Sequence, residues 1–287
     1  MSDIDLAFGL AGGETVLTRR RHRWPFHVGR LFGPDDDPYS TLILQNVAGS
    51  MIPGDRVRSR FDLGAGTRVA LRGQGAVTVA GVPGGAASQE WCTIRAGEDA
   101  CAVVDTGLRV VGPSASHRQR TYLTLAPSAN VILVEATAIH PSVDIGSGGI
   151  VDSAITVRMC TDRRCAAVDH QLLATASSPR QFRAFGSVYA LGAAAADDPT
   201  EDLRLLLESL ESDTRVYCAV ARLPHRLGLI VRAVAEDGGV LRTFLSEVSQ
   251  ITSAAITCVT RHDSPTSPLH ARSPGIEPER MPICCSP

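Results

Sequence analysis

The side chain with the clearest potential for chemistry is Glu135, which ends the apolar run Val131-Ile-Leu-Val. A carboxylate at the end of such a run is costly to bury unless it is paired or lines water. Two interpretations follow from this rule. Glu135 is either the structural partner of an arginine or a group on the wall of a water-filled space, where its charge would attract a divalent cation.

Asp55 and His140 are two further candidate ligands. Asp55 follows Pro53-Gly54, and an aspartate in such a turn commonly accepts hydrogen bonds from nearby backbone amides. His140 comes five residues after Glu135, and an imidazole can serve as a metal ligand. A turn residue is the simpler interpretation of Asp55, and an exposed loop histidine is the simpler interpretation of His140.

Cys160 and Cys165 flank the four residues Thr-Asp-Arg-Arg, and His170 follows five positions later. Two cysteines and a histidine could form a zinc site, which would make the protein a metal-dependent hydrolase. The same spacing predicts a hairpin loop that sets the cysteines side by side across a strand pair. We favour the hairpin, and because the G-x-S-x-G and H-E-x-x-H signatures are also missing, we expect no enzyme.

The sequence Gly73-Gln74-Gly75 resembles the start of a phosphate-binding loop. A dinucleotide fingerprint needs a third glycine and a helix after it, whereas Ala76-Val-Thr-Val predicts a strand here. All 28 basic residues are arginine, so the lysine of a P-loop or a Schiff base is missing. We therefore interpret these glycines as turn residues and expect no nucleotide hydrolysis.

The composition is typical of a globular protein, with 287 residues, 44% hydrophobic residues and a net charge of −2. This charge gives no argument for binding nucleic acid or an anionic membrane. The cluster Arg19-Arg20-Arg21-His22-Arg23 predicts a strand end that faces solvent or an acidic partner. Without a membrane span, a basic leader or a C-x-x-C pair among the eight cysteines, we predict a cytoplasmic protein with mostly buried cysteines.

The elements that would position these residues are mostly strands, because apolar and polar residues alternate along much of the chain. Predicted strands cover residues 15–18, 40–45, 56–63, 67–72, 101–104, 121–125, 130–135, 153–159, 216–221 and 227–234. Their short, regular spacing predicts stacked, mostly antiparallel sheets. Two helices are predicted in the C-terminal third, at 203–210 and 240–251. We expect one β domain over residues 1–260 and a disordered tail, Cys284-Cys285 included, over 261–287.

Several segments occur in the order found in one known family. The segments are TVLTRRRHRWPFHVGRLFGPDDDPYSTLILQNVAGSMIPGDRVRSRFDLGAGTRVAL, HRQRTYLTLAPSANVILVEATAIHPS, GGIVDSAITVRM and LPHRLGLIVRAVAEDGGVLRTFLSEV. The first contains a basic RRRH-x-x-P motif, a Gly-Asp turn and an L-x-x-G segment. Together they resemble the urease accessory protein UreD, called UreH in some species, over nearly the whole folded chain.

This resemblance implies a mostly β scaffold that binds apo-urease on one side and UreF on the other. UreF in turn recruits the GTPase UreG, which carries the nickel. The resemblance also implies that Ni²⁺ in transit moves through an internal passage, without any tightly bound cofactor. Glu135 occupies the place of a family glutamate, and oxygen ligands release Ni²⁺ more readily than thiolates do. Asp55 and His140 are the other candidate ligands for this passage.

The sequence also departs from the family pattern. Pro53-Gly54-Asp55 stands where the family usually has Gly-Gly-Asp, and residues 74–81 replace a more polar Q-x-A-T-K-x-Y-R-like strand. A diverged paralogue that serves another metalloenzyme is therefore one alternative. A β interaction module without a metal role and the zinc-dependent hydrolase are two others.

Overall fold

The computed structural model describes residues 2–33, 38–144, 146–161, 164–175, 181–196 and 215–262. The strands are β1 (Ile4–Ala11), β2 (Glu14–His22), β3 (Phe26–Phe32), β4 (Ser40–Asn46), β5 (Ser50–Met51), β6 (Arg56–Leu63), β7 (Arg68–Gly73), β8 (Ala76–Val79), β9 (Ser88–Ala96), β10 (Cys101–Val111), β11 (Ser116–Leu125), β12 (Asn130–Ile139), β13 (Ile150–Met159), β14 (Cys165–Ala174), β15 (Ala184–Gly192), β16 (Val216–Arg222) and β17 (Gly228–Ala235). The helices are α1 (Ala193–Ala196) and α2 (Gly238–His262), and Pro224–Arg226 forms a 3₁₀ turn. The prediction of a mainly β protein is confirmed.

These strands form two sheets. Sheet A has the order β14-β13-β11-β9-β6-β1-β2, and sheet B has the order β16-β17-β15-β12-β10-β7-β4-β3, with β5 and β8 paired beside β10. From β9 to β13 the chain alternates strand by strand between the sheets, so each circuit adds one strand to each. The arrangement is that of a short solenoid.

The prediction of mostly antiparallel sheets is wrong, because the central strands of both sheets run parallel. β6, β9, β11 and β13 pair in parallel in sheet A, as β4, β7, β10 and β12 do in sheet B. Antiparallel pairs such as β1–β2 and β13–β14 lie towards the edges. Short turns between strands usually indicate hairpins, but here most of them carry the chain from one sheet to the other.

The helix predicted near residues 240–251 is confirmed as α2. Its apolar face, which includes Leu241, Phe244 and Leu245, packs on the outer face of sheet B. A side chain at Gly186 would meet Leu245 at 2.5 Å, so glycine on β15 permits this close approach. In the described part of the C-terminal third there is one long helix instead of two, and the helix predicted at 203–210 lies outside the described residues.

The main core lies between the two sheets, towards the carboxyl ends of the sheet A strands. Alternate residues of β11 show this gradient, because Leu123 and Leu125 point into the core whereas Gln119 and Thr121 are the buried residues nearer the start of the strand. The amino-terminal half of this interior is therefore polar. Buried polar groups need hydrogen-bonding partners, and this half contains the candidate site.

Two predictions concern features beyond the core. Within the described ranges, no helix is both long enough and apolar enough to cross a membrane. Residues 263–287, which include most of the predicted tail, lie outside the described residues.

Candidate functional site

One row of side chains crosses the inner face of sheet A and faces sheet B. Glu90 pairs laterally with Gln119, Gln119 with Ser153, and Ser153 with Gln171. Because side chains alternate between the faces of a strand, all four point into the space between the sheets. The row brings polar groups from four strands to one level of the solenoid.

Glu135 faces this row from β12 in sheet B. Its carboxylate accepts hydrogen bonds from Gln119 Nε2 at 2.7 Å, Thr121 Oγ1 at 3.2 Å and Ser153 Oγ at 3.2 Å. The residue is only 9% exposed, and among the described residues no arginine is within ion-pairing distance of it. Burial raises the pKa of Glu135, although the three hydrogen bonds and the charge of Arg109 oppose this shift.

Glu135 also lines a cavity of about 300 Å³ at the edge of the solenoid. Ser153, Gln171, Ser187 and Arg232 line the same cavity. Its volume is large enough for several water molecules. Of the two interpretations of Glu135, the structure supports a carboxylate on a cavity wall.

A hydrogen-bonded cluster beside this cavity ties the two sheets together. Asp169 on β14 accepts hydrogen bonds from the Tyr189 hydroxyl at 2.5 Å and from Gln171 Nε2 at 3.1 Å, and it pairs with Arg232. Burial, together with the nearby charges of Glu135 and Asp169, raises the pKa of Tyr189. The phenol therefore stays protonated and serves as a donor.

A second buried acid, Glu90, has a different environment. Arg109 donates to both of its oxygens, from Nε at 2.7 Å and from Nη2 at 3.0 Å, and His117 Nε2 lies 3.2 Å away. Ser88 Oγ contacts the other nitrogen of His117 at 2.9 Å. Burial alone would raise the pKa of Glu90, but Arg109 and His117 hold it well below its usual range.

An irregularity in β10 places Arg109 in this cluster. The register with β12 shifts between Asp105 and Leu108, so β10 has one extra residue there and Arg109 points into the interior. A bulge of this kind re-aims the side chains that follow it. Arg109 Nη1 donates to the Thr106 carbonyl at 2.6 Å, and Asp105 accepts from the Gly107 amide at 2.9 Å.

Gln119 connects the surroundings of the two acids. It lines the cavity beside Glu135 and also a second cavity of about 100 Å³, whose wall includes Glu90, Asp105 and Arg109. The side chains around the two cavities include carboxylate, amide and hydroxyl oxygens, which suit hard or borderline cations. Within the described residues, no three histidine, cysteine or acidic side chains converge to form a metal-binding cluster.

Comparison with known proteins identifies the family. The family model of the UreD urease accessory protein matches residues 1–264. The chain belongs to the UreD family. It is 40% identical over 254 residues to the urease accessory protein UreD of Mycolicibacterium smegmatis. The matched region covers 87% of this chain and 89% of that protein.

More distant members of the UreD family match along a similar length. Urease accessory protein UreD 1 of Methylorubrum extorquens is 29% identical over 255 residues, covering 86% of this chain and 85% of its own. Urease accessory protein UreD 1 of Pseudomonas syringae is 29% identical over 255 residues, covering 84% and 87%. These relatives are named accessory proteins.

The other two candidate ligands lie apart from Glu135 and line neither cavity. Asp55 Oδ2 accepts the backbone N–H of Ile52 at 2.9 Å, which is the turn role considered from the sequence. His140 is exposed after β12, and its Nδ1 contacts Ser142 Oγ at 2.6 Å. Their contribution to a UreD nickel passage stays a prediction.

The cysteine-containing segment pairs as the predicted hairpin, but the prediction that Cys160 and Cys165 lie side by side is wrong, because Cys160 follows the end of β13. β13 and β14 pair in antiparallel fashion, with Arg158 opposite Cys165 and Ala154 opposite His170. His170 Nε2 lies 2.8 Å from Asp152 Oδ1, and Cys165 Sγ contacts the Ala167 carbonyl at 3.6 Å. Cys165 and His170 therefore contact different groups in this UreD chain, and the described residues form no zinc site around them.

Sequence reasoning missed Glu90, Arg109 and His117. Arg109 follows Leu108 in a largely apolar strand, so the argument that singled out Glu135 could have found it. Gly73-Gln74-Gly75 is not a phosphate loop, because a strand and not a helix follows it. It is not a reversing turn either, because β7 and β8 both pair in parallel with β10, so the glycines interrupt a line of strand that continues in one direction.

Proposed function

We propose that this chain is a urease maturation scaffold that links apo-urease to a UreF–UreG complex and helps Ni²⁺ reach the urease active site. Membership of the UreD family supports the role in urease maturation. The observation that carries the nickel step is Glu135, a buried carboxylate on a cavity wall that accepts hydrogen bonds from three neutral side chains. Nickel is cargo in this proposal, not a resident cofactor.

The arrangement around Glu135 suits a cation in transit. One carboxylate at about 4 Å from a dication, at an effective dielectric of about 20, is worth roughly 8 kcal/mol before desolvation is subtracted. The neutral donors of Glu135 can turn away at little electrostatic cost, and Arg232 on the same cavity wall is paired with Asp169. Carboxylate and amide oxygens also hold Ni²⁺ less tightly than thiolates do, so the ion can leave again.

The chain itself supplies no nucleotide chemistry in this proposal. Gly73-Gln74-Gly75 connects two strands and is not followed by a helix, and the sequence has no lysine to contact a phosphate. GTP hydrolysis therefore belongs to the partner UreG, and the scaffold carries no enzymatic activity of its own.

The experiment that tests this proposal removes the gene from its urease-producing host and restores it on a plasmid. We expect urease that lacks nickel in the deletion strain, and urease with normal nickel content after complementation. Pull-downs with the wild-type chain should recover both UreF and apo-urease. Normal nickel in urease from the deletion strain would overturn the proposal.

The variant Glu135→Gln tests the nickel step separately from assembly. It should recover UreF and apo-urease as the wild type does, while the urease contains less nickel. Glu14→Gln is the matched control, because Glu14 is an exposed glutamate on β2, and it should behave as the wild type. Equal nickel loading by the two variants would contradict a role for Glu135.

A further inference from the structure

The outer face of sheet A is strongly basic. Strand alternation directs nine arginines but only four acidic residues onto it. The arginines are Arg19, Arg21, Arg56, Arg58, Arg60, Arg95, Arg118, Arg120 and Arg158, and the acidic residues are Asp5, Glu14, Asp62 and Asp152. We call this set, with the side chains between its members, the arginine face.

The arginine face contrasts with the rest of the chain, since the net charge of the whole sequence is −2. The excess positive charge on one face must be balanced by excess negative charge elsewhere. Helix α2 packs against the outer face of sheet B, whereas no helix of the described residues packs on the arginine face. Within the described residues, the positive charge therefore lies on a sheet face that no helix covers.

Aspartates hold several of these arginines in fixed positions. Asp62 pairs with Arg19 at 2.5 Å and with Arg60 at 2.7 Å. Asp152 pairs with Arg120 at 2.7 Å and with Arg118 at 3.3 Å. Each carboxylate is thus shared between two guanidinium groups, which keeps planar donors in place and leaves net positive charge around it.

Other arginines on the same face have no such partner. Arg56, Arg95 and Arg158 are exposed, and no ion pair or hydrogen bond joins them to another side chain in the described ranges. Burying an unpaired guanidinium against an apolar surface would be costly. An occupant of this face must therefore bring its own acceptors.

Apolar side chains interrupt the charges in a regular way. Tyr122 is 42% exposed, Val168 is 63% exposed and Leu172 is 68% exposed, and all three point outward from β11 and β14. Arg58 also stacks over Trp91, with 5.0 Å from its Cζ to the ring centroid. Arginine and aromatic residues among apolar contacts are the composition that protein interfaces favour.

We propose that the arginine face docks an acidic protein surface. Seven strands spaced by about 4.8 Å and about eight residues long give a face of roughly 30 Å by 25 Å. That area is close to the roughly 800 Å² that each partner contributes to a standard interface. A folded acidic protein fits better than a nucleic acid, because the exposed Tyr122, Val168 and Leu172 can contact apolar side chains of a protein but would gain nothing from a phosphate backbone.

The test compares the wild type with a variant that lacks the unpaired arginines, Arg56→Gln, Arg95→Gln and Arg158→Gln combined. Their removal breaks no ion pair, so the variant should keep its melting temperature. The matched control is Arg30→Gln, Arg68→Gln and Arg72→Gln, which removes the same charge from sheet B. Binding is measured to fluorescent poly-L-glutamate, a short DNA duplex and phosphatidylserine vesicles.

We expect poly-L-glutamate to bind the wild type and the control alike, and the arginine-face variant about tenfold more weakly, since charge complementarity drives the contact. Tighter binding of DNA or vesicles than of poly-L-glutamate would overturn the choice of a protein partner. Equal poly-L-glutamate binding by both variants would overturn the arginine face itself.

The same variants can be tested with UreF and apo-urease, and this arm alone rests on the proposed function. The arginine-face variant should lose one of these two proteins and keep the other, which would identify the acidic partner. If the variant recovered both proteins as efficiently as the wild type does, docking of UreF or apo-urease at this face would be contradicted. Failure of the wild type to recover either protein would count against the proposed function, while the poly-L-glutamate result would still decide on the arginine face.

Discussion

Gln119 Nε2 donates a hydrogen bond of 2.7 Å to Glu135 Oε1, across the gap between the two sheets. Gln119 is also the residue that both cavities share. Its amide therefore orients the buried carboxylate and lies on the wall of the space around Glu135 as well as on that of the space around Glu90.

Replacing Gln119 should affect transfer more than assembly. Gln119→Leu keeps a similar volume but removes the donor to Glu135 and presents methyl groups to both cavities. If Ni²⁺ passes Glu135 as proposed, we expect less nickel in urease and normal recovery of UreF. Gln250→Leu is the control, since Gln250 is exposed on α2. Nickel content is measured in purified urease. Equal nickel content with the two variants would rule out a role of Gln119 in nickel transfer.

Glu135→Gln should not destabilise the fold at neutral pH. The pKa of Glu135 is raised by burial, because the folded state disfavours the charged form. The charged form therefore destabilises the wild-type fold once the pH rises above the pKa of a glutamate in the unfolded chain. The variant should therefore melt at or above the wild-type temperature at pH 7. Below the usual pKa of glutamate, the glutamic acid of the wild type and the glutamine of the variant are both neutral, and the two melting temperatures should be equal. A lower melting temperature at pH 7 would indicate an essential charged contact.

Glu90→Gln should have the opposite effect. Its carboxylate pairs with the buried Arg109 and contacts His117, so the variant leaves a buried guanidinium without its counter-ion, at a cost of about 3–5 kcal/mol. The pKa of Glu90 is lowered in the folded state. The wild type should therefore have the higher free energy of unfolding at every pH above the usual pKa of glutamate, and should lose this difference only as the pH falls well below that pKa. Urea unfolding at pH 7 measures the decrease in the free energy of unfolding. A decrease of less than about 1 kcal/mol, which is the contribution of an exposed ion pair, would contradict the prediction.

The isolated chain should be poorly soluble, and co-expression with UreF should raise the soluble yield. Exposed apolar residues on edge strands promote association, and Val168 on β14 and Tyr217 on β16 are each 63% exposed. Val168→Thr should therefore improve the solubility of the chain expressed alone. Light scattering at increasing concentration measures this. A monodisperse wild type that gains nothing from UreF or from the substitution would count against the scaffold.

From the sequence, a buried polar residue could be predicted more reliably than the strands that lie next to it in the fold. Glu135 was found because a carboxylate after four apolar residues needs an explanation wherever the strand lies. Its donors Gln119 and Ser153 come from strands of the opposite sheet, and no local pattern indicates which strands face each other. Arg109 faces inward only because of the bulge in β10, and a single shift of this kind reverses a prediction based on alternation.

The order in which strands join each sheet has a consequence for synthesis on the ribosome. Sheet A grows outward as β1, β6, β9, β11 and β13, and sheet B as β4, β7, β10, β12 and β15, so each of these strands docks on one already made. The nascent chain can then build the solenoid progressively from its N-terminus. Each partner is nevertheless a full circuit away in sequence, which slows pairing, and a growing sheet edge stays open until β14, β16 and β17 have been translated.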